Sequence, residues 1–346
     1  DDAPWTTRRL LSWIRTHLES RKIDSPRICA ELLVSAAIGA ERLRLYMEPD
    51  RLASEEERST LREWVRRASA HEPVQYLVGE AWFHGHRFEV DSSTLIPRPS
   101  TETLVEVSAE LLQDVSPTGL RVLEPCTGTG CAGLALLRLL DRPHRAAARM
   151  REVDEAILAD VERLSAAMDG ASDAPDDAPE PAGEPSEPVI GTLPGESASV
   201  VATDLVPAAV ALATRNAAAM TLGDRFDARV GSLYEPLREA ERGSFDLILA
   251  NPPYISDAEF ARSPLNVREH EPATALRGGV DGLDVMRPLV ADAPRWLRPG
   301  GVLAVEAQYD QADAVRGLME TAGFREISVR RDLDDHERVI VGRLPQ

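Results

Sequence analysis

The sequence predicts an α/β fold: a doubly wound, mostly parallel sheet of the Rossmann-like type, preceded by a small helical domain. Three observations predict it. Apolar residues recur at helical spacing through the first 70 residues, and seven short β-rich segments alternate with helical patterns from residue 120 onward. A glycine-rich turn follows the first of these segments. Alternating strands and helices are typical of a parallel sheet with helices on both faces.

Length and charge limit the function classes. The 346 residues suggest two domains, and 43% hydrophobic with 28% charged residues is a globular composition. The formal charge of -19 repels a phosphate backbone, so direct nucleic-acid binding is not expected. The sequence contains neither a basic leader nor an apolar run of membrane-spanning length, so we expect a cytoplasmic protein with no membrane partner, and a monomer. Three cysteines without paired spacing predict neither disulfides nor a zinc site.

Residues 1–75 are predicted to form the helical domain. Ser54 and Glu57 fit a capping box that starts one of its helices. Residues 1–100 hold 15 basic and 16 acidic side chains, so this part is nearly neutral and suits a protein partner. The apolar faces are predicted at these positions: Leu10, Ile14 and Leu18; Ile28, Leu32 and Leu33; Leu61, Val65 and Ala68.

Residues 76–95 are predicted to be a β-hairpin linker that turns at His84-Gly85, and residues 96–346 the second domain. His84 and His86 invite a metal hypothesis, but no cysteine or carboxylate cluster lies near them at ligand spacing, so no metal is predicted. After two prolines at 97 and 99, a helix is predicted to begin near Thr101.

Seven strands are predicted in the second domain. The last two are separated only by the short polar stretch 330–336, which is too short for a parallel crossover, so they are predicted to pair antiparallel. The predicted strands are 120–125, 200–204, 226–230, 245–251, 300–306, 324–329 and 337–343.

An acidic insertion at about 143–198 separates the first two predicted strands. Residues 145–168 have the apolar spacing of an amphipathic helix, and 169–198 have almost nothing to bury, so we expect the latter to be disordered. Residues 152–197 contain 13 acidic residues and one arginine. The segment is either an acidic arm that recruits a basic partner or a solvated loop, and its role stays open.

A glycine-rich turn, EPCTGTG at 124–130, lies where a strand meets a helix, the place where an open α/β sheet binds its ligand. Gly128, Gly130 and Gly133 also fit the spacing of a dinucleotide fold, whose acidic ribose ligand would be Glu152 or Asp154. These two lie in the insertion. Asp204 instead closes the second strand, where a carboxylate accepts from ribose hydroxyls or simply caps the next helix.

The motif Asn251-Pro252-Pro253-Tyr254 follows the buried strand FDLILA. Two prolines remove the backbone donors and hold the chain rigid, leaving carbonyl oxygens and the Asn251 side chain at the cleft. Such a site accepts hydrogen bonds and suits a substrate NH2 group, and Tyr254 can stack on a planar substrate group. Catalysis then comes mainly from positioning the amine against an electrophilic methyl group.

These motifs resemble the HemK/PrmC-type protein-(glutamine-N5) methyltransferases that act on peptide chain release factors. The resemblance covers nearly the whole chain outside the insertion. It rests on EPVQYLVG at 72–79, LIPRP with Thr101-Glu102 at 95–102, FDLILANPPYI at 245–255, EHEP with Ala275-Leu276 at 269–276, GLD at 282–284 and DLDDHERV at 332–339.

The resemblance implies a class I S-adenosylmethionine-dependent methyltransferase whose helical domain helps to dock a release factor. Asn251, with Pro252, Pro253 and Tyr254, is expected to be catalytic. Pro97, Arg98, Asn251 and Tyr254 are expected to bind the substrate glutamine of a Gly-Gly-Gln loop. The S-adenosylmethionine site is expected to comprise Glu124, Cys126, Thr127, Gly128, Thr129, Gly130, Asp204, Ser232, Leu233 and Asn251.

Three features depart from the family pattern, the mildest being Glu306-Ala307-Gln308, where a glycine of the family is replaced. Cys126 stands where the family has the first glycine of its cofactor loop, and Ser232 and Leu233 stand where it commonly has an acidic residue and an aromatic. Three other functions remain open at this point: N5-glutamine methylation of a ribosomal protein, adenine-N6 methylation of nucleic acid, and a non-catalytic adaptor.

Overall fold

The structure, a computed structural model, describes residues 4–113, 115, 119–141 and 198–346. The predictions made for residues 143–197 therefore lie outside the described residues. Within the described part of the chain, no helix is both long enough and apolar enough to cross a membrane.

The N-terminal part is helical, as predicted. The predicted capping box is present at the start of the helix Glu55–Ala68. The Glu57 amide donates to Ser54 Oγ at 3.1 Å, and the Ser54 amide donates to Glu57 Oε2 at 2.8 Å. The helices are α1 (Thr7–Ser20), α2 (Pro26–Ile38), α3 (Arg42–Met47), α4 (Glu55–Ala68) and α5 (Val74–Val78).

The buried faces of α1 and α4 are those predicted, whereas that of α2 is predicted only in part: Leu33 is buried and Leu32 packs against the core, but Ile28 does not belong to the buried face. Ile28 is 47% exposed, whereas Ala30, Leu33 and Val34 are buried, with Ala37 packed against them. These four positions follow the helical spacing that starts at residue 30. The sequence did not reveal this face because two of its members are alanines.

The predicted hairpin is shorter than expected. Strands β1 (Glu80–Phe83) and β2 (His86–Glu89) pair antiparallel around His84-Gly85, whose positive φ angles of 49° and 76° suit a tight turn. Residues 76–78, predicted to be in the linker, belong to α5 instead, which ends at Gly79 with φ 76°. The next helix, α6 (Pro99–Leu112), begins two residues before Thr101 because proline is well suited to the first helical position.

All seven predicted strands are present in one sheet. The order is β5-β4-β3-β6-β7-β9-β8, and β9 runs antiparallel to both of its neighbours. The strands are β3 (Arg121–Pro125), β4 (Ser199–Asp204), β5 (Phe226–Val230), β6 (Phe245–Ala250), β7 (Leu297–Glu306), β8 (Arg325–Arg331) and β9 (Glu337–Arg343). The helices of this part are α7 (Cys131–Leu140), α8 (Pro207–Ala219), α9 (Asp257–Phe260), α10 (Leu265–His270), α11 (Met286–Asp292) and α12 (Ala312–Thr321).

The central strands are buried on both faces. Val122 and Leu247 join one hydrophobic cluster, and their neighbours Leu123 and Ile248 join the other. Successive side chains of a strand point to opposite faces, so this alternation is what two helical layers require. The parallel register places the carboxyl ends of β3, β4, β6 and β7 along one edge, where a crevice forms.

Gly130→Ala tests the packing at the start of α7. Gly130 has φ 77°, and a Cβ there would lie 3.0 Å from the Phe226 ring and 3.2 Å from Leu134. We expect a loss of about 2–4 kcal/mol in the free energy of unfolding, from backbone strain plus crowding. Gly243→Ala is the control, because Gly243 has φ 63° with open space around it. Equal losses in urea unfolding would contradict the role of crowding.

Candidate active site

One cavity lies at the carboxyl edge of the sheet and brings together most of the residues predicted from sequence. Gly130, Pro252 and Tyr254 do not line it. The predicted residues that do line it are Pro97, Arg98, Glu124, Cys126, Thr127, Gly128, Thr129, Asp204, Ser232, Leu233, Asn251 and Pro253.

The glycine-rich turn forms one wall of this cavity. Gly128 has φ 54°, and a Cβ there would have only Thr94 within reach, at 4.0 Å, so a side chain would stand in open space beside the cavity lining. Cys126 also has a left-handed φ, of 59°, the region that favours glycine. Cys126 therefore adopts the left-handed backbone conformation expected of the glycine that the family has at this position. Burial raises the pKa of its thiol, which keeps the sulfur uncharged.

Asp204 joins the glycine-rich turn to the second strand. Its Oδ2 accepts a hydrogen bond from the Gly128 amide and its Oδ1 from the Val206 amide, both at 2.9 Å. Val206 is the N-cap of α8, so this bond fixes the chain where it enters the helix, and each Asp204 oxygen still keeps a lone pair for a ligand hydroxyl. Burial raises the pKa of this carboxyl, while the two amides oppose the shift.

Glu124 lies buried beneath the first turn of α7. Burial raises its pKa to about 8, against the opposing effects of the Thr127 hydroxyl and the Gly133 amide. A Cβ on Gly133 would lie 2.3 Å from Glu124 Oε2, so this third glycine is required by packing over the carboxyl.

The loop after β5 closes the cavity beside Asp204. The Gly231 amide donates to the Asp204 carbonyl at 2.9 Å, and Thr203 Oγ1 donates to the Leu233 carbonyl at 2.6 Å. The Ser232 amide donates to Glu235 Oε2 at 3.2 Å. Ser232 and Leu233 therefore lie at the predicted place, and their contact with an adenine ring stays a prediction.

Asn251 is held in one orientation by Thr101. Its Nδ2 donates to Thr101 Oγ1 at 2.9 Å, across 150 residues of sequence. The donor end of the side chain is thereby occupied, and the Oδ1 acceptor remains for a ligand. The sequence singled out Thr101 only as a helix start within a family signature, so its contact with Asn251 was missed.

Glu306 is a second residue that sequence reasoning did not place in the site. Its side chain is fully buried, at 0% exposure, and Oε1 accepts from Ser100 Oγ at 3.1 Å and from the Tyr254 hydroxyl at 3.2 Å. Burial raises the pKa of Glu306, against the opposing effects of the neighbouring Thr101 and Ser100 hydroxyls. Its Oε2 has no hydrogen-bond partner among the described residues. Burial also raises the pKa of Tyr254. Stacking of Tyr254 on a substrate stays a prediction.

Two signature segments meet at the mouth of the cavity. Arg98 forms an ion pair with the buried Glu271, whose Oε2 also accepts from the Ile96 amide at 3.4 Å. Next to it, His270 Nε2 lies 3.2 Å from the carbonyl oxygen of Ala70 in the helical part. The segment around residue 270 therefore contacts both the site and the N-terminal helices.

Asn216 is a third residue missed from sequence. Buried in α8, it donates from Nδ2 to the Thr129 carbonyl at 3.0 Å and to the Glu89 carbonyl at 3.1 Å, and it accepts from the Glu89 amide at 2.8 Å. It ties the hairpin to the glycine-rich turn. A lone asparagine within an alanine-rich helix was the available signal.

One group of potential metal ligands exists among the described residues: Asp332, Asp334 and His336, in the turn between β8 and β9. Asp332 Oδ1 accepts from the amides of the other two, both at 3.0 Å, so the turn itself accounts for the grouping. His84 and His86 are not part of it.

The sheet order, with β9 antiparallel between β7 and β8, and the glycine-rich turn that lines the cavity after β3 define the class: a Rossmann-like class I S-adenosylmethionine-dependent methyltransferase fold. Sequence comparison then specifies the family. The model of the PrmC N-terminal domain matches residues 9–79.

Two curated relatives, both called release factor glutamine methyltransferase, align over nearly the whole chain. The protein of Geobacter sulfurreducens is 35% identical, and the alignment covers 98% of this chain and 97% of the relative. That of Rhodopirellula baltica is 30% identical, with the same coverage. A solved protein-(glutamine-N5) methyltransferase (release factor-specific) from Alicyclobacillus acidocaldarius is 25% identical, covering 75% of this chain and 100% of that one, with a TM-score of 0.36. The chain belongs to the release factor glutamine methyltransferase family.

The buried Glu124 carboxyl should make the free energy of unfolding depend on pH. Its pKa is about 8 in the folded protein and near 4.5 when unfolded, so the folded state binds the extra proton. Its contribution to stability is complete below about pH 4.5 and is lost as the pH rises through 8. Glu124→Gln removes this contribution. Comparing the free energies of unfolding of the two proteins, the wild type should lose stability relative to the variant between about pH 4.5 and 8. A pH-independent difference would contradict the assignment.

Proposed function

We propose that the protein transfers a methyl group from S-adenosylmethionine to the side-chain amide nitrogen (N5) of the glutamine in the Gly-Gly-Gln loop of a peptide chain release factor. The observation that carries the proposal is the orientation of Asn251. Its Nδ2 is engaged by Thr101, so its Oδ1 is the end left to accept a substrate N–H. Membership of the family supports the choice of substrate, since the relatives are named for release factors.

The residues present fit S-adenosylmethionine. The open space beside Gly128 allows a ligand to approach the backbone closely, and Asp204 offers carboxylate oxygens at the strand end where ribose hydroxyls are expected. Cys126, Thr127 and Thr129 complete that wall, and Ser232 and Leu233 lie across from it as candidates to flank the adenine. Bound S-adenosylmethionine would supply an electrophilic methyl group, whose carbon–sulfur bond breaks as the carbon–nitrogen bond forms and the amide nitrogen releases one proton.

The chain's own contribution is positioning. The lone pair of an amide nitrogen is delocalised and weakly nucleophilic, so catalysis depends on holding both reactants in a reactive geometry. Asn251 Oδ1 would accept one N–H of the substrate, and the rigid backbone of the Pro252-Pro253 pair, of which Pro253 lines the cavity, offers a carbonyl acceptor for the other. With its N–H bonds held by these acceptors, the nitrogen directs its lone pair toward the methyl group.

The partner is expected to be a folded protein. Pro97 and Arg98 lie at the mouth of the cavity, where Arg98 is held by Glu271, and the N-terminal helices contact the same mouth through His270. The near balance of charge in residues 1–100 suits docking to a protein surface, and the total of -19 disfavours a bare nucleic acid.

Asn251→Ala and Asp204→Ala should have opposite signatures. Removing the Asn251 acceptor should lower kcat by about 10²–10³, by analogy with loss of one oriented oxyanion-hole group, and leave the Kd for S-adenosylmethionine within about threefold. Asp204→Ala should instead weaken cofactor binding in calorimetry. An Asn251→Ala enzyme with kcat within about threefold of wild type would show that this residue does not orient the substrate.

The substrate is tested by mapping the methylated atom. The protein is incubated with labelled S-adenosylmethionine and, separately, a full-length release factor, ribosomal proteins, ribosomal RNA and duplex DNA, and the labelled residue is located by mass spectrometry. We expect label on the release-factor glutamine. The matched control is a release factor with Gln→Glu in its Gly-Gly-Gln loop, which should accept nothing because a carboxylate has no NH2 to offer.

Each other outcome points to a different function. Label on adenine would contradict a protein substrate, because an exocyclic amine would then be the acceptor. Label on a ribosomal-protein glutamine would keep the chemistry and change the partner. Bound cofactor with no labelled acceptor would favour a non-catalytic adaptor.

A further inference from the structure

The two ends of the Asn251 side chain have opposite hydrogen-bonding polarity. Its carbonyl oxygen accepts and its NH2 group donates, and a half-turn of the amide exchanges them at almost no steric cost. Whether the site presents an acceptor to its ligand therefore depends on the group that meets the other end. That group is the Thr101 hydroxyl, 2.9 Å from Nδ2.

A threonine hydroxyl does not have a fixed polarity of its own. It has one hydrogen and two lone pairs, so it accepts from Asn251 Nδ2 only while its hydrogen is directed elsewhere. If the hydrogen turned toward Asn251, the hydroxyl would bind Oδ1 and the amide would present NH2 to the cavity.

The Glu306 carboxyl is an acceptor available for this hydrogen. Its Oε2 is buried and has no hydrogen-bond partner among the described residues, while its Oε1 accepts from the hydroxyl of Ser100, the residue that precedes Thr101. The carboxyl is fully buried and keeps acceptor oxygens in either protonation state, and a hydrogen bond to a carboxylate is stronger than one to a neutral amide oxygen. Sheet register fixes the arrangement, since Ala250 pairs with Val305 and places Asn251 and Glu306 at matching ends of β6 and β7.

We propose that Thr101 and Glu306 are positioning residues that set the polarity of Asn251: the carboxyl orients the hydroxyl, and the hydroxyl orients the amide so that Oδ1 faces the substrate. The inference deepens the proposed function and rests on it, since it concerns how Asn251 comes to accept from the glutamine NH2. In this proposal both residues act through Asn251 rather than on the substrate itself.

Loss of the Thr101 hydroxyl leaves the Asn251 amide free to turn. In the turned state its NH2 group meets the NH2 of the substrate glutamine, two donors that cannot bond to each other. The correct orientation is then populated only part of the time, so kcat falls while cofactor binding and the fold are kept.

Thr101→Val is the direct test, with kcat, KM and the Kd for S-adenosylmethionine measured on a full-length release factor. We expect kcat to fall about tenfold, the upper range for one hydrogen bond, with the Kd and the urea midpoint little changed. Thr101→Ser keeps the hydroxyl and should restore kcat to within about threefold. Thr103→Val makes the same chemical change at another buried threonine of α6 and should leave kcat at the wild-type value.

A double-variant cycle separates positioning from a general structural effect. If Thr101 acts only through Asn251, adding Thr101→Val to Asn251→Ala should lower kcat no further, whereas independent effects would multiply.

Two results would overturn the inference and leave the proposed function in place. One is Thr101→Val with kcat within threefold of wild type beside an inactive Asn251→Ala. The other is a multiplicative loss in the double variant. Full activity of Asn251→Ala would overturn the role of Asn251 and this inference together, and methylation of a different acceptor in the substrate panel would identify a failure of the proposed function.

Discussion

The hydrogen bond from Asn251 Nδ2 to the Thr101 hydroxyl is the contact on which the proposed role of Asn251 depends. It joins the end of a central strand to the first turn of α6, two elements far apart in sequence. Each partner is fixed independently: Asn251 by the buried strand before it and the two prolines after it, and Thr101 by a helix that starts at Pro99 beside the Arg98–Glu271 ion pair. Because both ends are held, the side-chain amide has a defined direction, and direction decides whether an NH2 group is accepted or repelled.

The opposite wall of the cavity is built by backbone conformation. Left-handed residues at 126, 128 and 130 turn the chain from β3 into α7, and the Gly128 amide is tied to Asp204 at the end of β4. A parallel sheet brings these strand ends and that of β6 to one edge, so a ligand on Asp204 and a ligand on Asn251 occupy neighbouring parts of one cavity. The fold thereby places the proposed cofactor wall, which contains Asp204, beside the proposed acceptor wall, which contains Asn251.

The sequence predicted the sheet well because its strands are short apolar runs between polar turns, and each predicted strand is present. It also placed Asp204 and Asn251 at the carboxyl edge of the sheet, where both line the cavity, since Asp204 closes a buried strand and Asn251 follows one. It was wrong about Ile28, where alanines concealed the buried face, and about residues 76–78, which are helical. Thr101 and Glu306 could not be assigned to the site, because a hydroxyl–amide contact across 150 residues leaves no local pattern. Their roles follow only from which side chains the sheet register and α6 bring together.

The proposed function requires Asn251 to accept from the substrate nitrogen through Oδ1. A crystal structure of the protein with S-adenosylhomocysteine and a full-length release factor would show this contact. We expect the glutamine side-chain nitrogen to lie within about 3.2 Å of Asn251 Oδ1, with Nδ2 still on the Thr101 hydroxyl. A glutamine nitrogen bound elsewhere in the cavity, or an Asn251 side chain released from Thr101 in the complex, would contradict it.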